Sequence, residues 1–368
     1  MILRGIFSMK KIALFPVQKN NAPLARYQNR IPDTEVIPIL APAHKSMAGQ
    51  DLSALDGGSH TGITLRGDFE KAVEDCELLY LDDSRFLTRE ESYAEFIRTA
   101  ERHPIRIIYA RTLSERLHLQ DEESCSQKWQ ASGLGDAGKL TAIDVPVISI
   151  LTMGNETDQS HVEIGMRRFF QDQGYRVSQI GTQEYSRLFG FSAVPHFLFA
   201  NLDGKRKRLM FNQFVRRMIK EEKPDLLIMG VPEAVMKYNN RIPAGMGDVP
   251  CIMMDAVQSD IGVLCTCCQP YTEEYFKELS LFGRYRLNCE LHYFNISNSV
   301  VINDEDYQDR LEHLPLDSGF VVSHMYDGVD ADCGFEIFNS YSDMSSDKAY
   351  RRMEEELAGN PEAMRGGI

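Results

Sequence analysis

Over the first 116 positions, apolar residues fall in short runs separated by charged stretches with helical spacing. The runs are Lys11–Val17, Glu35–Leu40, Leu78–Leu81 and Arg106–Tyr109; Asp68–Glu74 and Ser92–Arg102 lie between them with an amphipathic rhythm. Strands alternating with helices predict a parallel α/β sheet. Pro16 ends the first strand ahead of a polar segment, and no GxGxxG follows it, so a standard dinucleotide turn is not expected there. From Leu117 the apolar rhythm gives way to Gln, Ser, Glu, Gly and Asp. This predicts an N-terminal Rossmann-like domain at 9–116 and a linker at 117–144.

A second series opens with the strand Val147–Leu151, a loop, and a helix from His161 to Gln173 closed by Gly174. Arg176–Ile180, Leu226–Met229, Cys251–Met254, Ile261–Leu264 and Leu291–Ile296 read as further strands, with helices at Lys207–Glu222 and Glu273–Phe282. The expected fold class is α/β, with two tandem Rossmann-like domains and mostly parallel sheets. The second domain, at 145–302, is P-loop-like with a degenerate loop. Residues 303–368 are expected to form an acidic tail, in part without fixed structure, because their charge is high and their apolar content low.

Charge sharpens this division. The 368-residue chain carries −14, and after position 302 sixteen acidic residues face five basic ones, so −11 resides there. Such a balance disfavours a nucleic-acid binder, which needs a basic face for phosphates. No apolar run approaches the ~18 to 20 residues of a membrane crossing. Arg4, Lys10 and Lys11 break the apolar start where an export signal needs continuity, so the expected location is the cytoplasm. Eight cysteines spread along the chain fit a reduced compartment better than a disulfide framework.

Candidate chemistry concentrates after Val147–Leu151. Gly154, Asn155, Glu156, Thr157, Asp158, Ser160, His161 and Glu163 occupy a loop and helix start of the kind that holds phosphate with backbone N–H groups. Where a phosphate-binding loop has Gly and Lys stand Ser160 and His161, with Glu163 near the hydroxyl position, and three carboxylates would repel the anion. Ser160 with Glu163 also reads as an S-x-x-E capping box, which would take up the free donors. A nucleotide is therefore the disfavoured occupant; a cation or amine is the other, with His161 as a metal ligand.

Thr182 and Gln183, after the next strand, and Asn239 and Asn240, in a long loop, extend the same candidate edge. Lys205, Arg206, Lys207 and Arg208 form an anion or peptide patch, or a solvated helix face. Cys265, Cys267 and Cys268 could give thiolates to a metal, although buried reduced thiols explain them more simply.

The stretch GNETDQSHVEIGMRRFFQDQGYRVSQIGTQEYSRLFGF, Gly154–Phe191, resembles the loop, helix and second strand of a clostridial family of peptide-maturation accessory proteins. These are encoded beside radical SAM enzymes and small Cys-rich precursor peptides. Lys10–Asn29, Asp56–Ser84 and Glu221–Asn240 resemble the same family, so the likeness spans most of Lys10–Ser299. More distantly, the domain order resembles Rossmann-plus-P-loop proteins that include D-glutamate N-acetyltransferases, whose loop retains the Gly-Lys pair missing here.

The nearer resemblance implies an accessory role in maturing a ribosomally synthesised peptide, with the precursor peptide and a radical SAM maturase as partners. The distant one implies an ancestral nucleotide site. A nucleotide-dependent transferase or ligase and a metal or redox module at Cys265–Cys268 are the rival readings. Cofactor identity is unassigned, neither nucleic acid nor membrane is expected as a partner, and homo-oligomer formation is left open.

Overall fold

The computed structural model describes residues 10–84, 86–87, 89–119, 138–243, 245–302, 311–330 and 333–359. The chain separates into two compact units, Met1–Trp129 with Gln183–Gly190, and Gln130–Thr182 with Phe191–Ile368. Most of the expected linker, residues 120–137, lies outside the described residues.

The first unit is built on a four-stranded sheet of β1 (Lys10–Phe15), β2 (Thr34–Pro38), β3 (Leu78–Leu81) and β4 (Arg106–Tyr109), in the order β2-β1-β3-β4. Every pairing in it is parallel. Short helices connect the strands: α1 (Ala22–Arg26), α2 (Ser53–Asp56), α3 (Phe69–Val73), α4 (Glu90–Ala100) and α5 (Arg111–Arg116). Alternate side chains of β1 and β3, namely Ala13, Phe15, Leu79 and Leu81, pack with Phe69, Val73 and Tyr93 in one core. Asp68 caps α3 by accepting from the Lys71 N–H, the expected function of Asp at that position.

The second unit contains β5 (Val147–Thr152), α6 (Gln159–Asp172), β6 (Val177–Gly181), β7 (Ser192–Ala193), α7 (Gly204–Glu222), β8 (Leu226–Ala234), α8 (Val249–Ala256), β9 (Ile261–Thr266) and α9 (Glu273–Leu287). It continues with β10 (Leu291–Ile296), the hairpin β11 (Ser299–Ile302) and β12 (Glu312–Pro315), α10 (Ser318–His324), β13 (Glu336–Phe338) and α11 (Asp343–Gly359). Seven strands form one sheet, β13-β10-β9-β5-β8-β6-β7, parallel throughout.

Period-two alternation sends Val147, Leu151, Leu227, Met229 and Leu264 to one face, against Phe211, Val215 and Phe276 of the helices. Ile148, Ile150, Ile228 and Val263 point to the other, against Val162, Met166, Phe169 and Phe170 of α6. Both faces are covered, as a parallel sheet requires. The α/β class with mostly parallel sheets is the architecture of the chain.

Two expectations change. Cys251–Met254 is not a strand but the middle of α8, whose first turn carries Pro250 and whose Val249 N–H donates to Glu233 Oε2 at 3.0 Å. An apolar run of four residues has no period that separates a buried helix from a strand, and the Pro at the first turn was the deciding signal.

The described part of the acidic segment is not an appendage. The supposed boundary at 302 cuts a hairpin in which Val301 faces His313; β13 pairs with β10 as the edge strand; and Ala349, Tyr350, Met353 and Leu357 of α11 join the α6-side core. Averaged charge hid a helix whose apolar residues recur at i, i+1, i+4 and i+8.

Met353, fully buried in that core, tests this placement. Met353→Ala should cost about 2–5 kcal/mol in urea unfolding, whereas Met344→Ala, at an exposed position of the same helix, should stay within about 0.5 kcal/mol. Equal, negligible effects would show that α11 is not part of the core.

Candidate functional site

The carboxyl ends of β5, β8, β9 and β10 converge on one edge of the second unit, the place where open α/β sheets bind ligands. The loop after β5 runs from Met153 to Asp158 and delivers the chain into α6. Glu156 and Asp158 both hold left-handed backbone conformations, φ 56° and 61°, which cost a non-glycine residue energy and are held by their surroundings.

Those surroundings are explicit. Thr152 Oγ1 donates to the Gly154 carbonyl at 2.6 Å and lies 2.6 Å from Thr157 Oγ1. The Thr157 carbonyl accepts from Asn295 Nδ2 at 3.2 Å, and Asp158 Oδ2 accepts from the Asn298 N–H at 2.7 Å. Asn339 Nδ2 donates in turn to Asn298 Oδ1, 2.8 Å, and to the Ile296 carbonyl, 2.7 Å. The Ser340 N–H donates to Asn295 Oδ1 at 2.9 Å. Asn295, Asn298 and Asn339 are wholly buried, so this network ties the ends of β10 and β13 to the loop.

The capping box does not form. Asp158 is the N-cap, and its side chain is engaged with Asn298 rather than with the helix. Gln159 opens α6 and reaches back, Nε2 donating to the carbonyls of Ile150 and Val231, each at 2.8 Å. Those carbonyls are released by the register shift between β5 and β8. Ser160 and His161 are buried within the first turn, and the His161 ring stacks on Tyr341 with centroids 3.7 Å apart.

Glu163, 1% exposed, turns toward the end of β6. Its carboxylate accepts from the Thr182 N–H at 3.1 Å and from Thr182 Oγ1 at 2.8 Å. Burial pushes its carboxyl up to about 8, although the two Thr182 hydrogen bonds pull the other way. Gly230 on β8 makes room for it: a Cβ there would collide with the Glu163 carboxyl and lie 3.1 Å from the Ile180 carbonyl oxygen.

Beside this closed helix start lies a cavity of about 590 Å³. Gly154, Asn155 and Thr157 line it from the β5 loop, Tyr238 and Asn239 from the β8 loop, Cys267, Gln269 and Tyr275 from beyond β9, and His313 from β12. Its volume lies in the ~300–1,000 Å³ range of ligand pockets. Tyr271 stacks parallel on Tyr275, centroids 5.5 Å apart. Its hydroxyl donates to the Cys267 carbonyl at 2.9 Å while Gln269 Nε2 donates to it at 2.9 Å. Burial raises the Tyr271 phenol far above its usual range, so it stays protonated.

The structure thus brings Gly154, Asn155, Thr157, Asn239 and Cys267 to one cavity, and places Thr182 with Glu163. Asn239 Oδ1 accepts from the Arg241 and Ile242 N–H groups at 2.8 Å and so builds its own turn; Asn240 Oδ1 accepts from Lys237 Nζ. Gln183 groups with the first unit. Lys205, Arg206, Lys207 and Arg208 occupy the first turn of α7, where Arg208 pairs with Asp255 at 2.6 Å.

Cys265 is buried in the core and Cys268 packs at the edge of the opposite one. Among the described residues no group of three or more His, Cys, Asp or Glu is placed to hold a metal, and no helix is long and apolar enough to cross a membrane. Sequence reasoning missed Asn295, Asn298, Asn339, Tyr341 and His313. The repeated pattern of a Phe-Asn step followed by Ser and Asn or Tyr, at Phe294–Asn298 and Phe338–Tyr341, was the available signal, since polar residues at strand carboxyl ends mark functional loops.

No protein-family profile and no curated protein matches the chain. Among solved structures it is similar to a DUF1611 family protein from Anabaena variabilis, at 12% identity and a TM-score of 0.56, over 95% of this chain and 100% of that one. This likeness extends over both units and establishes a shared fold. A pseudomurein peptide ligase type C from Methanothermus fervidus aligns with 71% of this chain and 38% of its own, at 12% identity and a TM-score of 0.25. A GTPase in apo form from Pyrococcus abyssi aligns with 41% and 66%, at 14% and 0.27. The superposition is too weak in both for a common architecture.

The buried Glu163 gives stability a pH dependence. Its folded carboxyl titrates near 8 against an ordinary value of 4.5, so between those values the folded state binds more protons than the unfolded one, and stability falls as pH rises. The urea midpoint should therefore drop between pH 5 and pH 8. Glu163→Gln should flatten that slope and be the more stable form at pH 8; an unchanged slope would mean that Glu163 is not the titrating group.

Proposed function

We propose that the chain is a peptide-binding accessory protein. Its cavity at the carboxyl edge of the seven-stranded sheet takes a short peptide segment, and it serves the maturation of a ribosomally synthesised peptide alongside a modifying enzyme of the radical SAM class. The observation that carries this reading is the division of the edge into a closed part and an open part. Where a phosphate site would keep N–H donors free at the helix start, this chain sets Asp158, Glu163 and the buried His161–Tyr341 stack.

The adjoining cavity is lined instead by amides and phenols, Asn155, Gln269, Tyr238 and Tyr275. Rigid aromatic rings with adaptable polar neighbours suit peptide backbones and side chains. The rival reading, a nucleotide-dependent transferase or ligase, requires an anion to enter a helix start whose first residues, Ser160 and His161, are buried and whose N-cap Asp158 is bonded to Asn298.

Two measurements decide between them. A ligand at ~100 times its dissociation constant stabilises by about 2.7 kcal/mol, and millimolar Mg-ATP or Mg-GTP should give no saturable thermal shift; a saturable shift would favour the rival. In a display selection with random 12-residue peptides, Tyr275→Ala serving as counter-target, sequences should emerge that bind the parent chain at least ~10-fold more tightly than the variant, the size of a lost aromatic anchor. Selection yielding no sequence that distinguishes the two would overturn the peptide reading.

A further inference from the structure

Two side chains from distant parts of the second unit meet at the wall of the cavity. Cys267 follows β9 and His313 lies in β12; Sγ is 3.7 Å from Nδ1 across 46 positions of sequence. The hairpin register that sets Val301 opposite His313 holds the imidazole over the sheet edge, and Ser299 Oγ lies 3.4 Å from the same nitrogen. The backbone at the thiol is fixed as well: the Cys267 carbonyl accepts from the Tyr271 hydroxyl, and the Cys268 N–H donates to the Ser299 carbonyl at 2.7 Å. Cys267, His313 and Asn155 all line the cavity, with Lys237, Tyr238, Tyr271 and Tyr275 the other titratable groups around it.

Three other thiols differ. Burial pushes Cys76 up to about 11 and Cys289 up to about 12, and holds Cys265 well above the thiol range. A thiol is a nucleophile only as thiolate, and an adjacent imidazole that takes its proton creates that state. Among the described cysteines Cys267 is the one that lines the cavity, and it has an imidazole neighbour.

We propose that Cys267 and His313 form a nucleophilic thiol–imidazole pair that accepts an acyl group from a thioester bound in this cavity. The inference rests on the cavity being the ligand site of the chain. With Nε2 carrying the ring hydrogen, Nδ1 takes the Cys267 proton, and Sγ attacks the thioester carbonyl carbon. A new C–S bond forms, the bond to the departing sulfur breaks, and His313 returns the proton to that sulfur, which leaves as a free thiol. An amine or water then attacks the Cys267 thioester and gives its proton to His313; the C–S bond breaks, and Cys267 recovers its proton. The side-chain amide of Asn155 supplies an N–H of the type that stabilises a carbonyl oxygen gaining charge.

The test uses the full chain. Iodoacetamide labelling across pH 5–9, read cysteine by cysteine by mass spectrometry, should give Cys267 an inflection below about 7.5, under the ordinary ~8.5. At pH 7 it should label at least ~10-fold faster than Cys76, Cys265 and Cys289, which burial keeps as thiols. His313→Gln should move that inflection toward ~8.5.

S-acetyl-N-acetylcysteamine should leave an acetyl group on Cys267 of the parent chain and none at that position in Cys267→Ser. An inflection at or above about 8.5 in the parent, or no acetyl adduct, overturns the proposal; should His313→Gln fail to fold, the parent profile and adduct decide. Peptides selected as above that still bind Cys267→Ser, with no adduct on the parent, would sink the thiol inference alone. An adduct without any selected peptide would sink the peptide reading alone.

Discussion

A helix that starts at the carboxyl edge of a parallel sheet presents N–H groups without intrahelical acceptors and the positive end of its dipole. The second unit is organised by how α6 meets that demand. Phosphate-binding folds leave it to a ligand, using glycines to bring the backbone close. Here Glu156 and Asp158 take left-handed conformations without glycine, Ser160 and His161 of the first turn are buried, and the Thr157 carbonyl and Asp158 are bonded from β10 and beyond. Such a loop is preorganised, and opening it would expose buried asparagines whose hydrogen bonds hold the strand ends together.

This closure makes the C-terminal segment obligatory. Asn339, Ser340 and Tyr341 follow directly from β13, so the residues that seal the start of α6 are positioned only if β13 is paired with β10. That pairing is supported from the other side by α11. Glu336 of β13, 4% exposed, pairs with Lys348 at 2.9 Å and Arg352 at 2.8 Å, successive turns of the same helix. A buried carboxylate with two cationic partners is tolerable where a lone one would not be. Part of the charge that marks this segment as acidic is therefore compensated inside the fold.

How much of this was legible follows from which interactions are local. The strands of the first sheet and β5, β6, β8, β9 and β10 of the second were readable, mostly because parallel strands buried on both faces appear as apolar runs, and Leu78–Leu81, Arg106–Tyr109 and Leu291–Ile296 have the expected bounds; the short edge strands β7 and β13 were not. The degenerate loop at Gly154–Glu163 was readable as well, because strand, loop and helix are contiguous. What each residue does there was not. Glu163 looked like a partner for Ser160 three residues away, but its acceptor role goes to Thr182 just after the next strand, where burial beside Gly230 is decided by packing. His161 looked like a ligand and is instead covered by Tyr341, 180 positions later. Cys251–Met254 failed for a different reason: four apolar residues carry no period.

The thiols show the same limit in its sharpest form. Within a strand, residues two apart share a face, so Cys265 and Cys267 would be equivalent if β9 continued. It ends at Thr266, and the chain turns. Cys265 stays in the core next to Glu163 and Asp158, whose carboxylates add to burial in keeping its thiol protonated. Cys267 passes beyond the edge to the cavity and His313. One step outward the hairpin places an imidazole beside the thiol, and a hairpin contact across 46 residues is a relation that no local pattern encodes.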